Sequence, residues 1–179
     1  GKAKHLATLS LAGFHVPEFF IVTTDFYKNR PTDLDQFTTL IAKYLERFDL
    51  ASNQLFVARS SSPLEDHKSH SFAGLYESFL NLSTPADIVQ AVHRIWESND
   101  RTLVSDYAEH LGAKKKAGIA VVIQKMIQAA LSGVLFTADP LDNDSGVMAL
   151  EIVEGDCDSL VSGKQEPVHV KIDKNDLSI

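Results

Sequence analysis

Residues 55–82 carry the side chains whose types and spacing could do chemistry. An apolar run, Leu55, Phe56, Val57 and Ala58, ends on the cation Arg59 and is followed at once by Ser60, Ser61 and Ser62. A polar stretch with Pro63, Glu65, Asp66, His67, Lys68 and His70 comes next. Ser71, Phe72, Ala73 and Gly74, small residues around one aromatic, then lead into 76–82. The apolar run is short enough for a buried strand, so the pattern reads as strand, flexible loop, strand. A cation fixed at a strand end, facing a Ser/Gly-rich loop with free backbone N–H groups, suits a polyanion such as a nucleoside triphosphate. The same composition also suits a plain hairpin connection. Lys2 is a second candidate. It falls in the first turn of an expected helix, where a cation opposes the helix dipole. That placement makes sense if Lys2 serves an anion beyond the helix start; an exposed lysine at a frayed end is the other reading.

These side chains need elements to hold them. Ala3, Leu6, Leu9 and Ala12 recur at near-helical spacing, with Gly13 as the stop, which predicts a helix over 1–12. Residues 19–23 read as a strand. Leu34, Phe37, Ile41, Tyr44 and Phe48 predict a helix over 32–48, with Thr32 and Asp35 as a capping box. Pro85 opens a helix over 84–96, with Ile88, Val92 and Ile95 on one face. A third amphipathic helix is expected over 100–111. His93 and His110 have no second ligand at a metal-binding spacing and read as surface or rim histidines. From Gly118 the texture changes to strands, over 119–123 running into 124–127, then 131–137, 147–153 and 168–172. Helices with strands first and clustered strands later predict an α+β fold with an antiparallel portion. The expected division is an N-terminal lobe, 1–111, and a strand-rich segment, 112–179.

Composition narrows the function. At 44% hydrophobic the 179 residues can bury a sizeable core. A net charge of −7 argues against nucleic acid as a partner, and the basic run Lys114, Lys115 and Lys116 reads as a solvated turn. The single cysteine, Cys157, excludes an intrachain disulfide and fits a reducing compartment, so a cytoplasmic location is expected. No apolar run approaches the roughly 18 residues of a membrane span, and no signal-peptide pattern is present. The chain opens on Gly1 rather than Met, which suggests a piece of something longer.

Several segments together resemble one family, the nucleotide-binding domain of phosphoenolpyruvate synthase, pyruvate phosphate dikinase and rifampin phosphotransferase. Gly1, Lys2 and Leu6 match its opening motif, and Gly13, Phe14, Pro17, Thr23, Thr24 and Phe26 the next block. Ala58, Arg59, Ser60 and Ser61, then Glu65 and Asp66, then Ser71 to Gly74, then Phe79, Leu80 and Asn81 match the central block. Gln124, Lys125, Met126 and Ile127, the run from Ser132 to Pro140, and Leu160 to Gly163 match the later ones. The resemblance implies an ATP-grasp type fold, with ATP lying between two α+β lobes. It implies that Lys2 and Arg59 contact ATP phosphates. Ser71, Ala73 and Gly74 would belong to a mobile loop over them. The backbone of Gln124, Lys125, Met126 and Ile127 would read adenine. Two fixed cations can offset phosphate charge, and arginine can do so bidentately.

The chain departs from that pattern twice. Gly155, Asp156, Cys157 and Asp158 stand where the family has Gly-Leu-Gly-Glu. Cysteine adopts positive φ less freely than glycine, and Asp158 reaches less far than glutamate toward ribose or phosphate. The chain also stops before the family's later strand, which carries the acidic residues for Mg2+. The fold is therefore expected to be incomplete on its C-terminal side, with Mg2+ ligands beyond residue 179. No residue here is expected to be catalytic or to bind metal. The expected function is the ATP-binding part of a phosphoenolpyruvate synthase-like phosphotransferase. It would act through a phosphohistidine elsewhere on a pyruvate-like or other small-molecule acceptor. The fragment alone would be inactive. A degenerate nucleotide-binding regulatory module is the alternative.

Overall fold

The computed structural model describes residues 1–48, 53–62, 78–100, 118–140, 146–157, 160 and 163–179. The chain divides into two compact units, Gly1–Met126 and Ile127–Ile179.

The first unit is built on a four-stranded sheet. Its strands are β1 (Phe19–Val22), β2 (Phe56–Ser61), β3 (Ser78–Leu82) and β4 (Ala120–Lys125), in the order β1-β4-β2-β3, every pair antiparallel. β4, grouped by the sequence reading with the later strands, is thus hydrogen-bonded into the centre of this first sheet. Its uninterrupted burial from Ala120 to Gln124 fits that central position. The expected lobe boundary, between residue 111 and Gly118, lies largely outside the described residues.

Alternation sorts the side chains onto two faces. Val22, Phe56, Ala58, Leu82, Val121 and Ile123 point to one face and join the main core cluster. That face is covered by α3 (Leu34–Leu45) and α4 (Pro85–Asp100), through Phe37, Ile41 and Leu45 of α3 and Ile88, Val92, Ile95 and Trp96 of α4. Trp96 is the hub. It stacks on Phe37 at 5.8 Å with the rings nearly parallel and lies near Phe26 and Tyr27 of α2 (Thr24–Lys28). Val57, Arg59, Ser61, Ala120, Val122 and Gln124 point to the opposite face, where α1 (Lys2–Leu11) lies.

Several elements differ from the sequence expectation. α2 has no apolar period long enough to announce it; Thr23 caps it by accepting from Phe26 N at 3.2 Å. The cap of α3 is Asp33, not the Thr32–Asp35 box. The Asp33 carboxylate accepts from the Asp35 and Gln36 amides at 2.9 and 3.2 Å. α4 runs on to Asp100 rather than ending near Trp96. Its extension is tied down by its last polar residues: Tyr27 Oη donates to Asp100 at 2.6 Å, Arg30 pairs with Asp100 at 2.8 Å, and Asn99 donates to Tyr27 Oη. The helix expected over 100–111 otherwise lies outside the described residues. β3 carries a bulge, since Phe56 pairs with Leu82 but Ala58 with Phe79. The extra residue is accommodated at Asn81, whose φ of 59° is one that asparagine tolerates.

The second unit is a three-stranded antiparallel sheet of β5 (Leu131–Phe136), β6 (Val147–Glu154) and β7 (Val168–Asp173) in sequence order. Gly133 is required there, because a Cβ on it would sit 2.4 Å from the Glu151 carbonyl oxygen. Asp139 is buried and accepts from Lys171 Nζ at 2.8 Å.

Candidate functional site

Arg59 is not at a strand end. β2 continues through Ser61, and Arg59 is its fourth residue, paired with Val122 of β4 on one side and Ser78 of β3 on the other. The three hydroxyls that follow are not an open loop either. Ser60, Ser61 and Ser62 are 1%, 6% and 0% exposed. The backbone of Arg59 is thereby locked on both edges, while its half-buried side chain leaves on the α1 face.

α1 brings Lys2 to that same face. Its N-cap is Gly1, which has no side chain to satisfy the unpaired amides of the first turn. The acceptor comes from the sheet: Ala3 N donates to Ser61 Oγ at 3.0 Å. Ser61 lies two residues beyond Arg59, so both side chains point to the same side of the sheet. The helix end that carries Lys2 is therefore anchored beside the strand position that carries Arg59. Gly13 ends the helix region at a φ of 83°, as expected of a glycine stop.

The Gln124 to Ile127 segment is largely committed to the fold. Gln124 pairs with Phe19 and Val57, and its side chain donates to Pro17 O at 3.1 Å. Lys125 N donates to Glu18 O at 2.9 Å and Met126 N to Leu55 O at 2.8 Å, while Met126 O accepts from Gln54 Nε2. The Lys125 ammonium pairs with Glu18 and lies 5.8 Å above the Phe48 ring. Ile127 is exposed and makes no hydrogen bond to another described residue.

Ser71, Ala73, Gly74 and Asp158 lie outside the described residues, as do His67 and His70. Gly155 adopts a φ of 76°, so the glycine there serves a left-handed backbone. Its amide donates to Ala130 O and its carbonyl accepts from Ser132 Oγ at 2.6 Å. Cys157 is not among the positive-φ residues, so that position does not call for a glycine's freedom.

His93 is half-buried, in keeping with a rim position, and its ring packs 5.0 Å from Trp96 and 6.1 Å from Phe37, centroid to centroid. Neither His93 Nε2 nor Trp96 Nε1 has a hydrogen-bond partner among the described residues. Burial pushes the His93 pKa below its ordinary value. Apolar periodicity alone gives no sign of a histidine in this wall.

A cavity of about 170 Å3 opens among Phe20, Phe26, Phe37, Leu40, Ile41 and Tyr44. None of these carries charge, so it is no phosphate site. No group of three acids, histidines or cysteines able to hold a metal occurs among the described residues. Among the same residues, no helix is long and apolar enough to cross a membrane.

Comparison with known proteins gives the chain a family. The family model described as pyruvate phosphate dikinase, AMP/ATP-binding domain, matches residues 30–179. The rifampicin phosphotransferase of Streptomyces sviceus is 30% identical over 96% of this chain and 24% of its own length. The phosphoenolpyruvate synthase of Aeropyrum pernix is 27% identical over 100% of the chain and 27% of its own. The prodigiosin synthesizing transferase PigC of Serratia marcescens is 30% identical over 92% of the chain and 21% of its own. The chain thus spans about a quarter of the length of these relatives. Arg59 lies inside the matched family span and Lys2 before it, though the two longest of these alignments cover nearly the whole chain. With a matched span of that extent and motifs in the same order, the chain belongs to the pyruvate phosphate dikinase AMP/ATP-binding domain family.

Proposed function

We propose that this chain is the ATP-binding part of a phosphoenolpyruvate synthase-like phosphotransferase, with an ATP-grasp mode of nucleotide binding. The observation that carries the reading is the anchoring of the Lys2 helix end beside Arg59, on one face of one sheet, in a member of an ATP-binding family. Lys2 and Arg59 would neutralise the ATP phosphates. Arginine suits this role because its planar fork holds two phosphate oxygens at once. Ser71, Ala73 and Gly74 would offer backbone N–H groups to the same phosphates. Adenine would be read by backbone groups of the Gln124 to Ile127 segment that the sheet does not use, of which Ile127 is the leading one. Lys125, paired with Glu18, would then contribute little to base choice.

Mg2+ would supply the charge neutralisation that phosphoryl transfer requires, on carboxylates outside the described residues. Asp158 would stand on the ribose or phosphate side. The phosphoryl group would pass to a histidine elsewhere in a longer protein, located in the cytoplasm, and from there to a pyruvate-like or other small acceptor. This chain by itself would show little or no ATPase activity. ATP binding is tested by thermal protection: ATP should raise the melting temperature of the full-length protein in a concentration-dependent way. No protection at millimolar ATP would contradict the reading.

A further inference from the structure

We propose that Ser61 is a positioning residue for Lys2, holding the helix-borne cation in register with Arg59. The inference rests on the reading that Lys2 and Arg59 bind ATP phosphates. A helix normally takes its first acceptor from its own cap residue. Here Gly1 offers its carbonyl to Lys4 N but has no side-chain acceptor, and the capping acceptor is a strand hydroxyl 58 residues away, Ser61 Oγ, bonded to the amide adjacent to Lys2. The approach is close enough to demand glycine at the cap. A Cβ on Gly1 would lie 2.9 Å from Ser61 Oγ and 2.9 Å from the Ser62 carbonyl oxygen. Two contacts from the end of β2 therefore fix where α1 starts. Along β2, Ser61 is about 6.6 Å from Arg59 on the same face, so the hydroxyl sets the spacing between the two cations. Ser61 is 6% exposed, which keeps water from competing for its oxygen. Being buried, it positions Lys2 and is not itself a phosphate ligand.

The test is a double-mutant cycle in the full-length protein, read as ATP and adenosine dissociation constants. Ser61→Ala should weaken ATP binding about fivefold, the scale of a lost helix cap, and leave adenosine binding unchanged. In a Lys2→Ala background the same change should have no further effect, because a residue acting through Lys2 has nothing left to position. Gly1→Ala disturbs the same contact from the helix side and should mimic Ser61→Ala, including where the latter folds poorly. The proposal is overturned by undiminished ATP affinity, by equal losses for ATP and adenosine, or by the same factor in both backgrounds. If Lys2→Ala and Arg59→Ala both leave ATP affinity intact, the phosphate reading itself fails, and this proposal with it.

Discussion

The two units bury their sheets very differently. In the first, α3 and α4 close over one face of the sheet, and Trp96, Phe37, Ile41, Ile88, Ile95 and Ile123 are all at most 2% exposed. In the second, Val153 is the buried apolar residue among those described, while Leu131 and Val168, on one face of the sheet, are 64% and 65% exposed. One unit is held by side-chain packing. The other is held mainly by its antiparallel ladders, by the close strand approach at Gly133 and by the buried Asp139–Lys171 pair. Stability is not uniform where apolar burial is not, and regions with few buried contacts open at lower free energy. Of the two cations proposed for the phosphates, Arg59 lies on a strand of the well-packed sheet and Lys2 on the helix end bonded to that strand, which suits groups that must hold their positions against a mobile polyanion.

That contrast can be broken at its strongest point first. Trp96→Ala should destabilise the first unit by about 3–5 kcal/mol, measured by denaturant unfolding followed through α3 and α4. A loss below about 1 kcal/mol would mean that the aromatic hub is not where the first unit's stability lies. Next in size, Gly133→Ala forces a Cβ into the Glu151 carbonyl and should cost about 1–3 kcal/mol. The cost should appear as faster amide exchange in β5 and β6, with α3 and α4 unaffected. Equal acceleration in both units would contradict their separation. Asp33→Ala removes the α3 cap and should cost about 1 kcal/mol, seen as fraying of the first turn of α3.

The smallest effect is a pH dependence. Burial among Phe37 and Trp96 lowers the His93 pKa, with Arg30 acting in the same direction and Glu97 opposing both. The folded chain therefore takes up its proton less readily than the unfolded one. His93 contributes no penalty well above its ordinary value of 6.5. As pH falls below that value, the unfolded chain protonates first and stability drops, until the folded pKa is reached and the loss stops. His93→Phe should flatten the stability curve across this window; an unchanged slope would place the titrating group elsewhere.

Much of this was legible in the sequence because it rests on period and punctuation. The 3–4 spacing through Phe37, Ile41 and Tyr44 and the stop at Gly13 translate directly into local backbone geometry. So does the glycine kept at Gly155, whose φ is positive. What was not legible depends on partners far away in the chain. Arg59 looked like a strand end because hydroxyls follow it, yet Ser60 to Ser62 are buried by neighbours that no local window contains. Ser61 gave no sign that it caps a helix 58 residues earlier. The rim position expected of His93 fits its half-burial, but periodicity counts apolar residues and passes over its edge-on packing against Phe37 and Trp96. The cap of α3 falls on Asp33 rather than Thr32, since both residue types are good caps and only the backbone turn chooses between them.

The central claim is that this chain binds ATP through its phosphates, with Arg59 as the principal contact. It is tested most directly by titrating ATP into the full-length protein and its Arg59→Ala variant, with folding checked by circular dichroism. The account predicts that the variant stays folded and loses about 2 kcal/mol of ATP affinity, roughly thirtyfold, while adenosine binds as before. A folded variant that binds ATP as tightly as the wild type would contradict it.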